Sequence, residues 1–186
     1  MRPFFIIGMP ASGKTTFGRA LARRLGLRFI DLDFYISQRF HKSISEIFES
    51  EGEEAFRRKE TAMLRETGEF DDVVIACGGG TPCFAGNMEY MNSRGLTVCL
   101  AAKPERICSR MMLAPDKRPL TKGKTPTELL EYIDATLAAR SQYYEMAQIC
   151  IESTHLENKR EIDTTVENFL GSIQNQGRNL RKMTLI

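Results

Sequence analysis

The sequence predicts an α/β fold, a parallel sheet with helices on both faces, and three observations carry that prediction. Short apolar runs at residues 4–7, 28–30, 73–77, 96–100 and 148–151 read as strands. Longer amphipathic stretches at 14–25, 53–66, 105–112, 127–144 and 159–170 read as helices between them. The regular alternation of the two kinds of segment is the signature of successive β-α-β units. A chain of 186 residues, 42% hydrophobic and 27% charged, can enclose a good-sized core as one domain.

Composition removes several function classes. With 26 Lys and Arg against 24 Asp and Glu, the net charge of +2 is too small to argue for nucleic acid. No apolar run approaches a membrane span, and the run after Met1 is too brief for a signal segment. The five cysteines, at 77, 83, 99, 108 and 150, are odd in number and contain no C-x-x-C pair. Free thiols in a reducing cytoplasm are expected, and neither His41 nor His155 has zinc-ligand spacing. One domain is expected over residues 1–170. It carries a Pro-, Gly- and Lys-rich mobile lid at about 114–125, and a tail follows at 171–186. A monomer with small-molecule partners only is the expectation.

The first strand leads into Gly8-Met9-Pro10-Ala11-Ser12-Gly13-Lys14-Thr15, which fits G-x-x-x-x-G-K-[ST] and opens a helix. Such a loop turns successive N–H groups toward phosphate oxygens, and the helix N-terminus adds partial positive charge. Lys14 then reaches the β- and γ-phosphates of ATP, Thr15 can bind Mg²⁺, and Ser12 and Thr16 stand ready for further contacts.

Asp31-Leu32-Asp33 closes the second strand, where ligands of open parallel sheets bind. On an extended segment the two carboxylates share one side. Asp31 suits Mg²⁺ held through water. Asp33 suits accepting a hydrogen bond, and a proton, from a substrate hydroxyl. On the next helix Glu60 sits three residues after Arg57 and can fix its guanidinium as a planar fork for a carboxylate. Arg140, a turn before Tyr144, can supply a second fork. Cys77-Gly78-Gly79-Gly80 ends the third strand and lets backbone approach a ligand closely. Arg118, in the lid, can neutralise charge on a transferred phosphoryl group, and Arg110 is placed to lie against a nucleotide base.

In this order and spacing, these segments resemble the shikimate kinase family over roughly residues 3 to 170. The resemblance implies a P-loop, three-layer α/β/α architecture like that of nucleoside monophosphate kinases, with a five-stranded parallel sheet. It implies ATP-dependent phosphorylation of the shikimate 3-hydroxyl, in chorismate and aromatic amino acid synthesis. It places Ala11, Ser12, Gly13, Lys14, Thr15 and Thr16 on ATP, Thr15 on Mg²⁺, and Arg118 on the phosphates. Asp33, Arg57, Gly79, Gly80 and Arg140 would contact shikimate. Ala11 stands where the family usually has Gly, and an ordinary turn conformation is expected of it. A gluconate or nucleoside monophosphate kinase, and a non-catalytic nucleotide sensor, are the competing readings.

Overall fold

The computed structural model describes residues 1–113 and 123–175. Five strands form one wholly parallel sheet: β1 (Phe4–Ile7), β2 (Arg28–Asp31), β3 (Val73–Ala76), β4 (Leu96–Ala101) and β5 (Ile149–Glu152). Their spatial order is β2-β3-β1-β4-β5, so β1 lies at the centre and is fully buried. Side chains alternate across a strand, so β1 feeds two separate cores. Phe5 and Ile7 pack on the face covered by α2 (Leu32–Phe40), α3 (Ile44–Gly68), α4 (Asn87–Arg94), α5 (Pro104–Met112) and α6 (Pro126–Tyr144). Phe4 and Ile6 pack on the other face, against Phe17 and Leu21 of α1 (Lys14–Leu25) and Phe169 and Ile173 of α7 (Lys159–Asn175). Phe169 meets both Phe4 and Phe17 edge to face, at 6.4 and 5.6 Å between ring centres.

The five expected strands and five expected helices are present, and the structure adds to them. Asp31 is the N-cap of α2, its carboxylate accepting from the Phe34 N–H at 3.3 Å. Asp33 therefore sits in the first turn of a helix and not on an extended segment. α3 begins at Ile44 and bends at Gly52, where φ is +82°. The expected start near residue 53 is the bend itself. The earlier start was written in Ser43-x-x-Glu46, a capping box in which each side chain bonds the other's backbone N–H. α4 is short and opens after Gly86. At the other end, α7 runs on to Asn175, past the boundary expected at 170. Thr125, counted with the lid, caps α6 in a capping box with Glu128. The rest of the lid, residues 114–122 with Arg118, lies outside the described residues, as does 176–186.

Ala11 corrects an expectation. Its φ is +65°, in the left-handed region, and not that of an ordinary turn. An L side chain with a Cβ there costs about 1–2 kcal/mol. Ala11→Gly should thus raise stability by about 1 kcal/mol, partly offset by the freer unfolded chain. Denaturant titration checks this, and a midpoint that falls on substitution would contradict the strain.

Candidate active site

Every strand of a parallel sheet points its carboxyl end the same way, and here those ends build a cavity of about 800 Å³. The loop after β1, the start of α2, the exit of β3, and α5 with the loop before α7 wall it in. Ala11, Gly13, Lys14, Thr15, Thr16, Asp31, Asp33, Gly79 and Arg110 all line it. A slightly larger groove, about 860 Å³ between β5 and α7, carries none of these residues.

The loop after β1 takes its shape from close packing. A Cβ on Gly8 would come within 2.5 Å of the Leu100 carbonyl oxygen, and Gly8 has φ of +134°. Gly13 is the left-handed N-cap of α1 and has no side chain to cap it, so the first-turn N–H groups are left for a ligand. Lys14 Nζ folds back over the loop, donating to the carbonyls of Gly8 at 3.0 Å and Met9 at 2.8 Å. Ser12 is fully buried, its N–H goes to the Met9 carbonyl, and its hydroxyl is not part of the cavity wall. Thr15 donates its hydroxyl to Asp31 at 2.9 Å, which places two hard oxygens together at the start of α1.

Arg110 does not stand open against a base. It lies across the nucleotide end as a tie, donating to the carbonyls of Ala11 and Ser12 at 3.4 Å and of Ser153 and Thr154 at 3.0 and 3.1 Å. Glu157 pairs with it at 3.0 Å. Nothing in the sequence spacing revealed Glu157, because it lies 47 residues from Arg110.

Arg57, Gly80 and Arg140 form a second cluster beside the cavity, and the two meet at Gly78. A Cβ on Gly78 would lie 2.7 Å from Glu60 and 3.2 Å from Asp33, so only glycine lets both carboxylates crowd this point. Glu60 is 1% exposed and accepts from Thr81 at 2.5 Å and Arg57 at 3.1 Å. Burial pushes its pKa up, against the pull of Thr81 and Arg57. Glu53 takes the other edge of Arg57 at 2.9 Å, and the Phe84 ring covers its guanidinium at 4.3 Å. The sequence pointed to Glu60 as the anchor of Arg57; Glu53, Thr81 and Phe84 become visible only in three dimensions. Glu53 alone had a signal, its i,i+4 spacing.

Asp33 stands between the two clusters. Its side chain is exposed to the open cavity, yet protein groups crowd it from the other sides, and that desolvation raises its pKa to about 6, helped by Glu60 and Asp31 and opposed by Lys14 and Arg57. A carboxylate so poised can accept a proton from a hydroxyl near neutral pH.

A glycine loop opening a helix, the paired oxygens of Thr15 and Asp31, a carboxylate of raised pKa and a fixed guanidinium fit the class of P-loop kinases acting on a small anionic acceptor. The match to known proteins narrows the class. The family model described as "Shikimate kinase" matches residues 10–171. A shikimate kinase of Bacteroides fragilis is 47% identical over 88% of this chain and 91% of its own. The crystal structure of shikimate kinase from Bacteroides thetaiotaomicron superposes with a TM-score of 0.90 at 41% identity, covering 92% of this chain and 98% of that one. Shikimate kinase from Acinetobacter baumannii, solved in complex with shikimate, gives 0.82 at 32% identity over 95% and 94%. The chain belongs to the shikimate kinase family.

The raised pKa of Asp33 predicts an acid limb. Its carboxylate works as an acceptor only when ionised, so kcat/KM should fall about tenfold per pH unit below pH ~6 and level off above. Lys14 holds that pKa down, so Lys14→Ala should move the limb to higher pH. A limb near pH 4 in the unsubstituted enzyme would show that Asp33 is not the titrating group.

Proposed function

We infer that this crevice carries out the family's reaction, transfer of the γ-phosphate of ATP to the 3-hydroxyl of shikimate, with the following division of labour. The N–H groups of the loop from Ala11 to Thr16 and Lys14 hold the phosphates, Lys14 exchanging its carbonyl partners for phosphate oxygens. Ser12 takes part through its place in the loop and not through its buried hydroxyl. Mg²⁺ would be held by the Thr15 hydroxyl and, through water, by Asp31. When bound, it draws charge from the β- and γ-phosphate oxygens. Asp33 takes up the hydroxyl of shikimate, and Arg57 and Arg140 hold its carboxylate, with Gly79 and Gly80 lending backbone. Arg118 meets the transferred group from the lid. Arg110 shapes the nucleotide end through the carbonyls it ties together.

One observation carries this reading. Asp33 lies at the junction where the phosphate cradle and the Arg57–Glu60 cluster share Gly78. An acceptor anchored by Arg57 therefore presents its far side to the base and the phosphates. Little covalent help is needed for such a transfer, and positioning with charge stabilisation supplies most of the rate. Among the described residues no helix is long and apolar enough to cross a membrane. The cysteines among them are all free, which supports a cytoplasmic setting. The reading is of a cytoplasmic monomer.

ATP consumption measured with shikimate, with gluconate and with no acceptor tests the function. Turnover should depend on shikimate and stop on chelation of Mg²⁺, whereas preference for gluconate would overturn the reading. Lys14→Ala should lower kcat roughly 10²-fold or more. Arg57→Ala should raise the shikimate KM about tenfold or more while leaving that of ATP in place, and Arg57→Lys should recover only part, since it lacks the planar fork. Selective loss of ATP affinity would instead move Arg57 to the nucleotide side.

A further inference from the structure

Tyr144, the last residue of α6, has no part in the reaction as described so far. Its ring is 7% exposed and is packed between Met9 of the phosphate loop, Cys99 of β4 and Leu137 of its own helix. The hydroxyl does not simply end in this apolar site. It donates to the carbonyl oxygen of Gly79 at 2.7 Å, across 65 residues of chain. The Arg140 guanidinium, one turn earlier on the same helix, lies near the phenol oxygen and pulls its pKa down against the effect of burial. The phenol thus donates to Gly79 while its oxygen lies beside the Arg140 guanidinium.

The bond to Gly79 has a geometric consequence. A trans peptide holds its C=O and the following N–H in one plane, pointing in opposite senses. Whatever holds the Gly79 carbonyl therefore aims the Gly80 N–H the other way. The chain cannot easily turn about this point, because a Cβ on Gly79 would stand 2.5 Å from Pro10, and so the two backbones are already in contact. Gly80 lies against Arg57, its Cβ position 3.0 Å from Nη1. The Gly80 N–H has no partner among the described residues, whereas its carbonyl is taken by the Cys83 N–H. An unpaired N–H beside a fixed guanidinium is a donor kept for an anion.

We propose that Tyr144 is the positioning residue of the acceptor's carboxylate site, its hydroxyl fixing the Gly79–Gly80 peptide and so aiming the Gly80 N–H beside Arg57. The proposal rests on the reading of the Arg57–Arg140 side as the carboxylate clamp. Tyr144 touches no reacting atom. It acts through a backbone donor that would otherwise choose its own direction, and losing that order weakens ground-state and transition-state binding alike.

Tyr144→Phe removes the oxygen and keeps the ring in its cavity. The expected result is a shikimate KM, and a dissociation constant by calorimetry, raised roughly 5–30-fold, with kcat within about threefold and the ATP KM within about twofold. The preference for shikimate over its methyl ester, which lacks the carboxylate charge, should shrink by a similar factor. A merely structural tyrosine would leave that ratio alone. An unchanged shikimate KM, an equal rise for ATP, or an unchanged acid-to-ester ratio would overturn the proposal. If Tyr144→Phe does not fold, Tyr144→His, which keeps a donor, should bind shikimate more tightly than Tyr144→Leu, and equal binding would overturn it. A wild-type enzyme with no preference for shikimate over its ester would count against the carboxylate clamp itself, and so is told apart from failure of Tyr144 alone.

Discussion

The substrate side of this crevice depends on one buried carboxylate. Glu60 is almost wholly removed from water, and a negative charge in that position must find partners or take up a proton. It finds Thr81 and Arg57. Those two bonds fix the start of the turn after β3 and the direction of the guanidinium together. Removing one partner of such a pair costs roughly 3–5 kcal/mol, so neither is free to drift. The same charge acts on Asp33, whose pKa it helps to lift. A single buried carboxylate therefore holds the Arg57 guanidinium in place and, after desolvation, helps to raise the pKa of Asp33. Its price is that the site is built around a group burial would rather neutralise.

The nucleotide side uses the opposite arrangement, with a cation serving backbone carbonyls. Arg110 collects four of them, from the loop after β1 and from the segment after β5. The phosphate loop needs such a tie because its conformation is strained. Ala11 is held at positive φ, and Gly8 and Gly13 are pressed against Leu100 and Leu156 with no room for a side chain. Strain of this kind persists only where neighbours over-determine the backbone. The gain is a set of N–H groups facing the phosphates before they arrive, which spares reorganisation at the moment of transfer.

Much of this was legible in the sequence, and what was not has physical reasons. The five strands are apolar enough to announce themselves, because a parallel sheet is covered on both faces. Lys14, Asp31, Asp33, Arg57 and the three glycines could be singled out because spacing along the chain or a place at a strand end marks them, and the structure brings them to the crevice or its edge. α2 and α4 were missed because each is short, and Asp31, the cap of α2, was read as the end of a strand. The left-handed Ala11 was missed because nothing local asks for it: packing of the loop imposes it. Glu157, Thr81 and Phe84 were missed because their roles lie in contacts across the fold. Sequence patterns record what a residue does with its near neighbours, and these residues work with distant ones.

Gly78 and Gly79 show how little space separates the two halves. Neither has positive φ, so backbone freedom is not why they are glycine. Gly79 has no room beside Pro10, and Gly78 has none between Glu60 and Asp33. The exit of β3 is therefore in van der Waals contact with the phosphate loop on one side and with the carboxylate cluster on the other. In packing this tight, a displacement on either side must be met by the other, because cores and close contacts deform little. The register of β1 against β3, with Ile6 opposite Ala76, fixes how far the two loops overhang the sheet. The distance from phosphate to acceptor is thus set by strand pairing in the core and only then refined by side chains. A sheet that buries Phe5 and Ile7 is for this reason part of the catalytic apparatus, although no atom of it meets a substrate.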